Sequence, residues 1–397
     1  MILFVSRTGI LEPLGKSQVL SYLKGLAKSY PITLVTFERS DLVEDQGVLE
    51  RMSHECEENS IAWQPLLASR GTQLRALQET LKLVFICLRA SQSGGAKLIH
   101  ARSYLPAVAA WVVYRLVGTP FIFDMRALWL EELIETKRLK RDTAAHRFLM
   151  FLEKRCLIDS GQVVCLTKAS ERYILRKYQI TGLAEKILVI PTCVDLERFV
   201  PRIVTKRGGS HPKIYSAMGS VLSGWFHPDW LRSLFLEISR RDPSATFEVV
   251  TMDDPGQVRE LLNLGEKVDG QLRVFSTPWD KAQEVIQRAS VSIMLYHGGL
   301  ASLGRAPTRF GEALACGIPV VANSGVGDVE EIVRTFEVGV LLDGGGPEQA
   351  SRLVDNLQKM LLDPQVSSRC RQAAVERFSL LRGVKMYSDM YARLIAT

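Results

Sequence analysis

No stretch of the 397-residue chain stays apolar for the roughly 18 residues that would span a bilayer. The longest apolar run, Leu105–Tyr114, is stopped at once by Arg115. The opening Met1–Ser6, "MILFVS", has no basic leader and no small-residue cleavage site, so it is expected to form a first strand rather than a signal peptide. No two cysteines have Cys-x-x-Cys spacing. The seven thiols (Cys56, Cys87, Cys156, Cys165, Cys193, Cys316 and Cys370) are scattered and odd in number. That argues against a disulfide framework and a zinc site, and for a reducing, cytoplasmic compartment. Low-complexity tails are absent, and no nucleic-acid motif or aromatic interleaving accompanies the basic residues.

What is present is ordinary globular composition, 47% hydrophobic and 23% charged. The length exceeds one core and suggests two or three domains. The net charge of +7 is uneven: 27 basic against 21 acidic residues up to position 200, and 23 against 22 beyond it. A phosphorylated substrate or an anionic membrane surface accounts for that asymmetry without nucleic acid.

Short apolar runs alternate with longer amphipathic ones, the pattern of an α/β protein with parallel sheets. Strands are expected at 2–5, 32–37, 98–101, 120–124, 162–166 and 186–190. After the Pro- and Gly-containing stretch 201–212 the pattern restarts, with strands at 213–219, 246–252, 272–276, 291–295, 318–323 and 338–342. Two Rossmann-like domains joined near residue 200 follow, with ligands expected at the strand C-terminal ends, in a cleft between them.

Several strand ends carry candidate chemistry. In "PTRFGEALACGIPVV" (Pro307–Val321), Thr308 and Glu312 share a helix face, and the helix start offers N–H groups to an anion, diphosphate above all. Arg305 and Arg309 add charge, and Glu312, acceptor-only when ionised, suits both hydroxyls of a ribose. Spacing alone equally allows a glutamate set against the helix dipole and arginines on a solvated loop. Gly15 and Lys16 lie at the first strand–helix junction, but the spacing from Gly9 is not that of a P-loop. Asp124 and Arg126 follow one strand, and His100 and Arg102 sit near the end of another. Each has a plain alternative, an internal Asp–Arg pair or a structurally satisfied histidine. The small residues of "GSVLSGWF" (Gly219–Phe226) leave room for a ligand.

With these segments in view, the chain resembles, over nearly its whole length, the GT-B glycosyltransferases of the large retaining family GT4, which includes bacterial enzymes of surface-polysaccharide assembly. "LEPLGKSQVLSYLKGLAKSYPITLVTFE" is similar to the family's first loop, helix and second strand. "IPTCVDLERFVP" (Ile190–Pro201) is similar to its junction segment, with Thr192 and Cys193 in place of Asn-Gly. "PTRFGEALACGIPVVANSGVGDVEEIV" is similar to its donor-site helix, and "RFSLLRGVKMYSDMYARLI" (Arg377–Ile395) to its last helix. The resemblance implies an acceptor-binding domain over 1–200, a nucleotide-sugar-binding domain over 201–376, and a helix over 377–397 that packs back on the first. It implies a retaining, metal-independent transferase with no cofactor beyond the nucleotide-sugar co-substrate, acting on a glycan or lipid-linked acceptor.

By the same resemblance Glu312 binds the donor ribose, and Arg305, Arg309 and Thr308 hold the diphosphate with Gly15 and Lys16. Gly219, Ser220, Ser276, Pro278 and Ser302 complete the donor set, with Ser276 and Pro278 near the base. His100, Arg102, Asp124 and Arg126 line the acceptor side, and Arg126, Arg305 and Arg309 are the catalytic cations. Gly304 stands where many members carry a second glutamate, and Arg126 where the family usually has histidine.

On residues 72–90, Leu74, Leu77, Leu81, Val84, Phe85 and Leu88 are expected to share one helical face, beside a stripe of Arg75, Lys82 and Arg89. With Lys137–Arg141 and Arg147–Cys156 they suit docking of the first domain on an anionic leaflet, or a core-facing helix with a basic edge. A sugar-nucleotide epimerase, a phosphorylase and a non-catalytic nucleotide-sugar or glycan-binding partner subunit are the competing readings.

Overall fold

The computed structural model describes residues 1–68, 73–202 and 212–396, with the side chains of 73–76 also outside the description. Most of the Pro- and Gly-containing stretch, together with the side chains of Leu74 and Arg75, therefore lies outside the description. The chain divides into two compact units. One comprises Met1–Pro191, Leu303–Arg305 and Leu380–Thr397; the other comprises Thr192–Ser302 and Ala306–Ser379.

The first unit is built on a seven-stranded parallel sheet. In chain order its strands are β1 (Ile2–Ser6), β2 (Ile32–Glu38), β3 (Ile61–Leu67), β4 (Leu98–Arg102), β5 (Phe121–Met125), β6 (Gln162–Cys165) and β7 (Ile187–Val189). They lie side by side in the order β3-β2-β1-β4-β5-β6-β7. Strands β1, β2, β4 and β5 are buried along their whole length, which explains their mainly apolar character, with Glu38, His100, Arg102 and Asp124 as buried polar exceptions. β3 is an edge strand with Pro65 inside it and a mostly open exposure pattern. An edge tolerates proline because one side of the ladder needs no N–H donor. The apolar-run criterion passes over such a strand.

The second unit has a six-stranded parallel sheet: β8 (Ile214–Met218), β9 (Thr246–Val250), β10 (Leu272–Phe275), β11 (Val291–Met294), β12 (Val320–Ala322) and β13 (Gly339–Leu341). Their order is β10-β9-β8-β11-β12-β13. All six fall inside the runs expected from the sequence.

The division between units falls at Pro191 rather than residue 200. The Thr192 hydroxyl donates to Ala306 O at 2.9 Å, and Val194 donates its N–H to Phe378 O at 2.7 Å. The junction segment is thereby tied to the second unit. The last helix runs Leu380–Ala396 and belongs to the first unit, starting three residues later than expected.

The stripe on the helix Gln73–Gln92 divides in the structure. Glu79, Leu83 and Cys87 face the core and Val84 and Leu88 pack beside them, while Leu77, Leu81 and Phe85 are 55–64% exposed. No described helix is long and apolar enough to cross a membrane.

Candidate active site

In the second unit the key element is the helix Thr308–Ala315. It begins at Pro307, which has no side chain with which to cap the free N–H groups of the first turn. Phe310, Gly311, Ala313, Leu314 and Ala315 are buried around it. A Cβ at Gly311 would lie 2.9 Å from a Val194 methyl and 3.1 Å from the Phe378 ring, so glycine there lets the junction segment and the Val366–Phe378 helix close on this one.

Amid these apolar groups Glu312 is 2% exposed. Its Oε2 accepts from Arg309 Nη1 at 2.5 Å. Burial pushes its pKa above the ordinary value, against Arg309 and, more weakly, Arg198. A buried carboxylate without a full set of partners is expensive, and among the described residues this one is held by a single hydrogen bond, from Arg309.

Arg198 and Trp279 are residues that sequence reasoning missed. The Arg198 guanidinium carbon lies 3.6 Å from the centroid of the Trp279 ring, and Nη2 donates to Trp279 O at 2.6 Å. Trp279 opens the short turn after β10, so the expected base residues Ser276 and Pro278 stand immediately before it, both exposed. The signal lay in the quoted junction segment, which contains Arg198, but a stacking partner 81 positions away leaves no local pattern.

At the end of β8, Gly219 has φ +137°, a conformation reserved in practice for glycine. The Ser220 hydroxyl is already donated to Asp253, whose other oxygen accepts from the N–H groups of Val221 and Leu222. Ser302 is fully buried, and its hydroxyl donates to His297 O at 2.6 Å. Both hydroxyls hold the loops of which the expected donor set is part.

In the first unit the β4–β5 register sets Arg102 beside Asp124. Asp124 is 1% exposed and faces His100 Nε2 at 3.4 Å, Arg102 Nη1 at 3.5 Å and Arg126 Nη1 at 3.5 Å. A carboxylate only accepts, so Nε2 carries the histidine proton and Nδ1 accepts from Tyr391 O–H at 2.7 Å. His100 is thus engaged on both nitrogens inside the unit, and Asp124 is as deeply buried. Arg102 is 5% exposed, whereas Arg126 keeps some access.

Burial holds His100 below its ordinary value of 6.5, against the pull of Asp124. In the unfolded chain the imidazole charges as pH falls through about 6.5, while the folded one stays neutral. This group therefore contributes stability above that pH, and the contribution shrinks as pH drops. Melting curves between pH 5 and 8 should show a steeper acid loss for the parent than for His100→Gln.

Gly15 is buried against its own loop. A Cβ there would lie 1.8 Å from Gly9 O, so the glycine closes its own loop. The helical run continues through a π-turn at Lys16–Leu20, which buries Gln18 toward Arg126 (3.4 Å). π-Turns are frequent at functional sites. Leu303–Arg305 groups with this unit: Thr167 Oγ1 donates to Leu303 O. A Cβ at Gly304 would come 2.9 Å from Leu128 N, so no glutamate fits there. Arg305 acts on the half-buried Glu132. Arg305 groups with the first unit and Arg309 with the second. Among the described residues no group of three or more His, Cys, Asp or Glu could hold a metal.

Two parallel sheets with flanking helices, one bearing a buried carboxylate and a guanidinium at an uncapped helix start, define a two-domain α/β protein with a candidate anion site. Two family models match the chain, a glycosyl transferase 4-like domain over residues 16–193 and a glycosyl transferases group 1 domain over 252–377. The chain belongs to the GT4-type glycosyltransferases of GT-B fold. No curated protein matches it.

Among solved structures it is similar to a glycosyltransferase from Rickettsia africae (15% identity, 99% of this chain and 98% of that one, TM-score 0.72). It is also similar to Anabaena Alr3699/HepE in complex with UDP and glucose (18%, 98% and 99%, 0.69). A third is WaaG, a glycosyltransferase involved in lipopolysaccharide biosynthesis (14%, 98% and 99%, 0.66). At these identities the likeness is one of fold.

Proposed function

We propose that the protein transfers a sugar, with retention and without a metal, from a nucleoside-diphosphate donor to a glycan or lipid-linked acceptor in surface-glycan assembly. The buried Glu312 beside Arg309 carries this reading. Ionised, the carboxylate accepts from both ribose hydroxyls. The free N–H groups at the start of Thr308–Ala315 and the Arg309 guanidinium take the diphosphate, whose charge grows as the glycosidic bond breaks. In a retaining course of the family kind, the donor phosphate itself takes the proton of the acceptor hydroxyl. HepE, of similar fold, was solved with UDP-glucose, which supports a nucleotide-sugar donor here. A thermal-shift screen with nucleoside diphosphates and their sugars tests the reading. One nucleotide family should stabilise the protein by mass action, and no stabilisation by any of them would favour a non-catalytic partner subunit.

The reading includes peripheral docking on an anionic leaflet. Its support is the exposed stripe of Leu77, Leu81 and Phe85, with Phe148 (59% exposed) and Phe151 (52%) on the helix Ala144–Asp159. Both helices pack against the apolar helix Tyr104–Val117. Vesicles containing anionic lipid should float the parent protein and not Leu81→Asp/Phe85→Asp. Equal flotation of the two would end the docking proposal.

A further inference from the structure

We propose that Arg198 is a positioning residue of the donor site, tying the nucleobase turn after β10 to the ribose carboxylate Glu312 through one guanidinium. This rests on the donor reading above and gives that site its source of base discrimination.

Three observations support it, all within the second unit. First, Arg198 covers the Trp279 ring and donates to that residue's carbonyl, so it fixes both the indole and the backbone of the turn. Second, its own backbone is pinned, because the N–H groups of Glu197 and Arg198 both donate to Asp195 Oδ1. The flanking chain is held as well, with Arg371 donating to Leu196 O and Phe199 O and Gln287 to Val200 O. A half-buried arginine on a backbone tied down this thoroughly is a fixed strut rather than a solvated side chain. Third, Arg198 is electrostatically coupled to Glu312, which it helps keep ionised.

Base turn and ribose acceptor are separate elements, one following β10 and the other on Thr308–Ala315. A nucleoside fits only if their spacing matches the base–ribose distance, and Arg198 holds the base turn directly while its charge favours the ionised form of Glu312. Lysine cannot replace it, since an ammonium lacks the planar face and the fork of donors.

The charges acting on Glu312 are Arg309 on its own helix and Arg198 from the junction; Asp195 and Asp280 act on Arg198, and Glu312 and Arg371 both act on Cys316, which caps the helix. Cys316 is held neutral, its thiol pushed up to about 12 by burial and by Glu312. Removing Arg198 takes away a cation that favours the carboxylate, so Glu312 ionises at higher pH.

The test is calorimetric titration of UDP, GDP and ADP into the full-length parent, Arg198→Ala, Arg198→Lys, Trp279→Ala and Glu312→Gln between pH 5 and 8.5. Arg198→Ala should weaken the preferred nucleotide roughly 10–100-fold, the scale of one charged hydrogen bond with a cation–π contact. It should also flatten the preference among bases and move the acid limb of binding to higher pH. Arg198→Lys should restore the limb but not the preference, and Trp279→Ala should lose preference with the limb unmoved. The nucleotide's own phosphate ionisation is common to all and cancels.

Parent-like preference and pH limb in Arg198→Ala, with binding lost in Glu312→Gln, would overturn this inference alone. A uniform weakening with both unchanged would also overturn it, as a merely structural role. No binding by the parent, or parent-like binding by Glu312→Gln, would overturn the donor reading and this inference with it.

Discussion

Glu312→Gln is expected to lose nucleotide binding while its melting temperature at pH 7 stays level or rises. The folded pKa of Glu312 lies above the ordinary 4.5, chiefly through burial. The fold therefore disfavours the ionised form. That penalty is absent below the unfolded value and fully present once pH exceeds the folded one, so at neutral pH a neutral glutamine escapes it. Binding should suffer in the opposite direction. Two ribose hydroxyls donating to a carboxylate, each hydrogen bond worth roughly 1.5–3 kcal/mol, make a loss of about 10²–10³-fold in kcat/KM reasonable. A purely structural Glu312 would give the reverse pattern, a lower melting temperature with binding intact. Calorimetric titration and a melting curve on the same sample decide between them.

Asp124→Asn should produce the largest loss of stability. The side chain is isosteric, but it takes the carboxylate from the buried Arg102 and from Arg126, and breaking a buried pair from one side typically costs about 3–5 kcal/mol. Burial opposes ionisation of Asp124, yet Arg126, the His100 hydrogen bond and Arg102 outweigh it and hold the carboxyl well below its usual 3.8. A depressed folded pKa means the contribution is complete above the unfolded value and disappears as pH falls through the folded one. The parent and Asp124→Asn should therefore converge at strongly acid pH and diverge above about pH 4. Adding Arg102→Gln to Asp124→Asn should recover part of the loss, since it removes one of the two stranded cations. Urea titrations of the parent, both single variants and the double variant measure the coupling.

The sheets were legible in the sequence because most of their strands are largely buried, and such strands appear as short, mainly apolar runs. β3 was not, since an edge strand with Pro65 and Gln64 has no such run. Glu312 and Arg309 could be found because one helical turn puts their pairing into the local sequence. The Arg198–Trp279 stack and the Asp253 clamp on the β8 loop join positions far apart in the chain, which periodicity does not register. His100 was ambiguous for a related reason. A strand-end histidine offers the same letter whether it meets a ligand or a tyrosine nearly 300 residues later.

That tyrosine, Tyr391, lies on the final helix, as does Tyr387, which faces Asp124. The order of synthesis gives this placement a kinetic meaning. The sheet of the first unit leaves the ribosome early, but the buried polar cluster on its surface is not covered until residues 380–396 follow, after the whole second unit. Until then His100, Arg102 and Asp124 are open to water on the side the helix will occupy, and domains that fold as units during synthesis complete in the order their last segment appears. The half of the protein made first is therefore completed last, and a chain cut short near its end would damage the unit that contains its beginning.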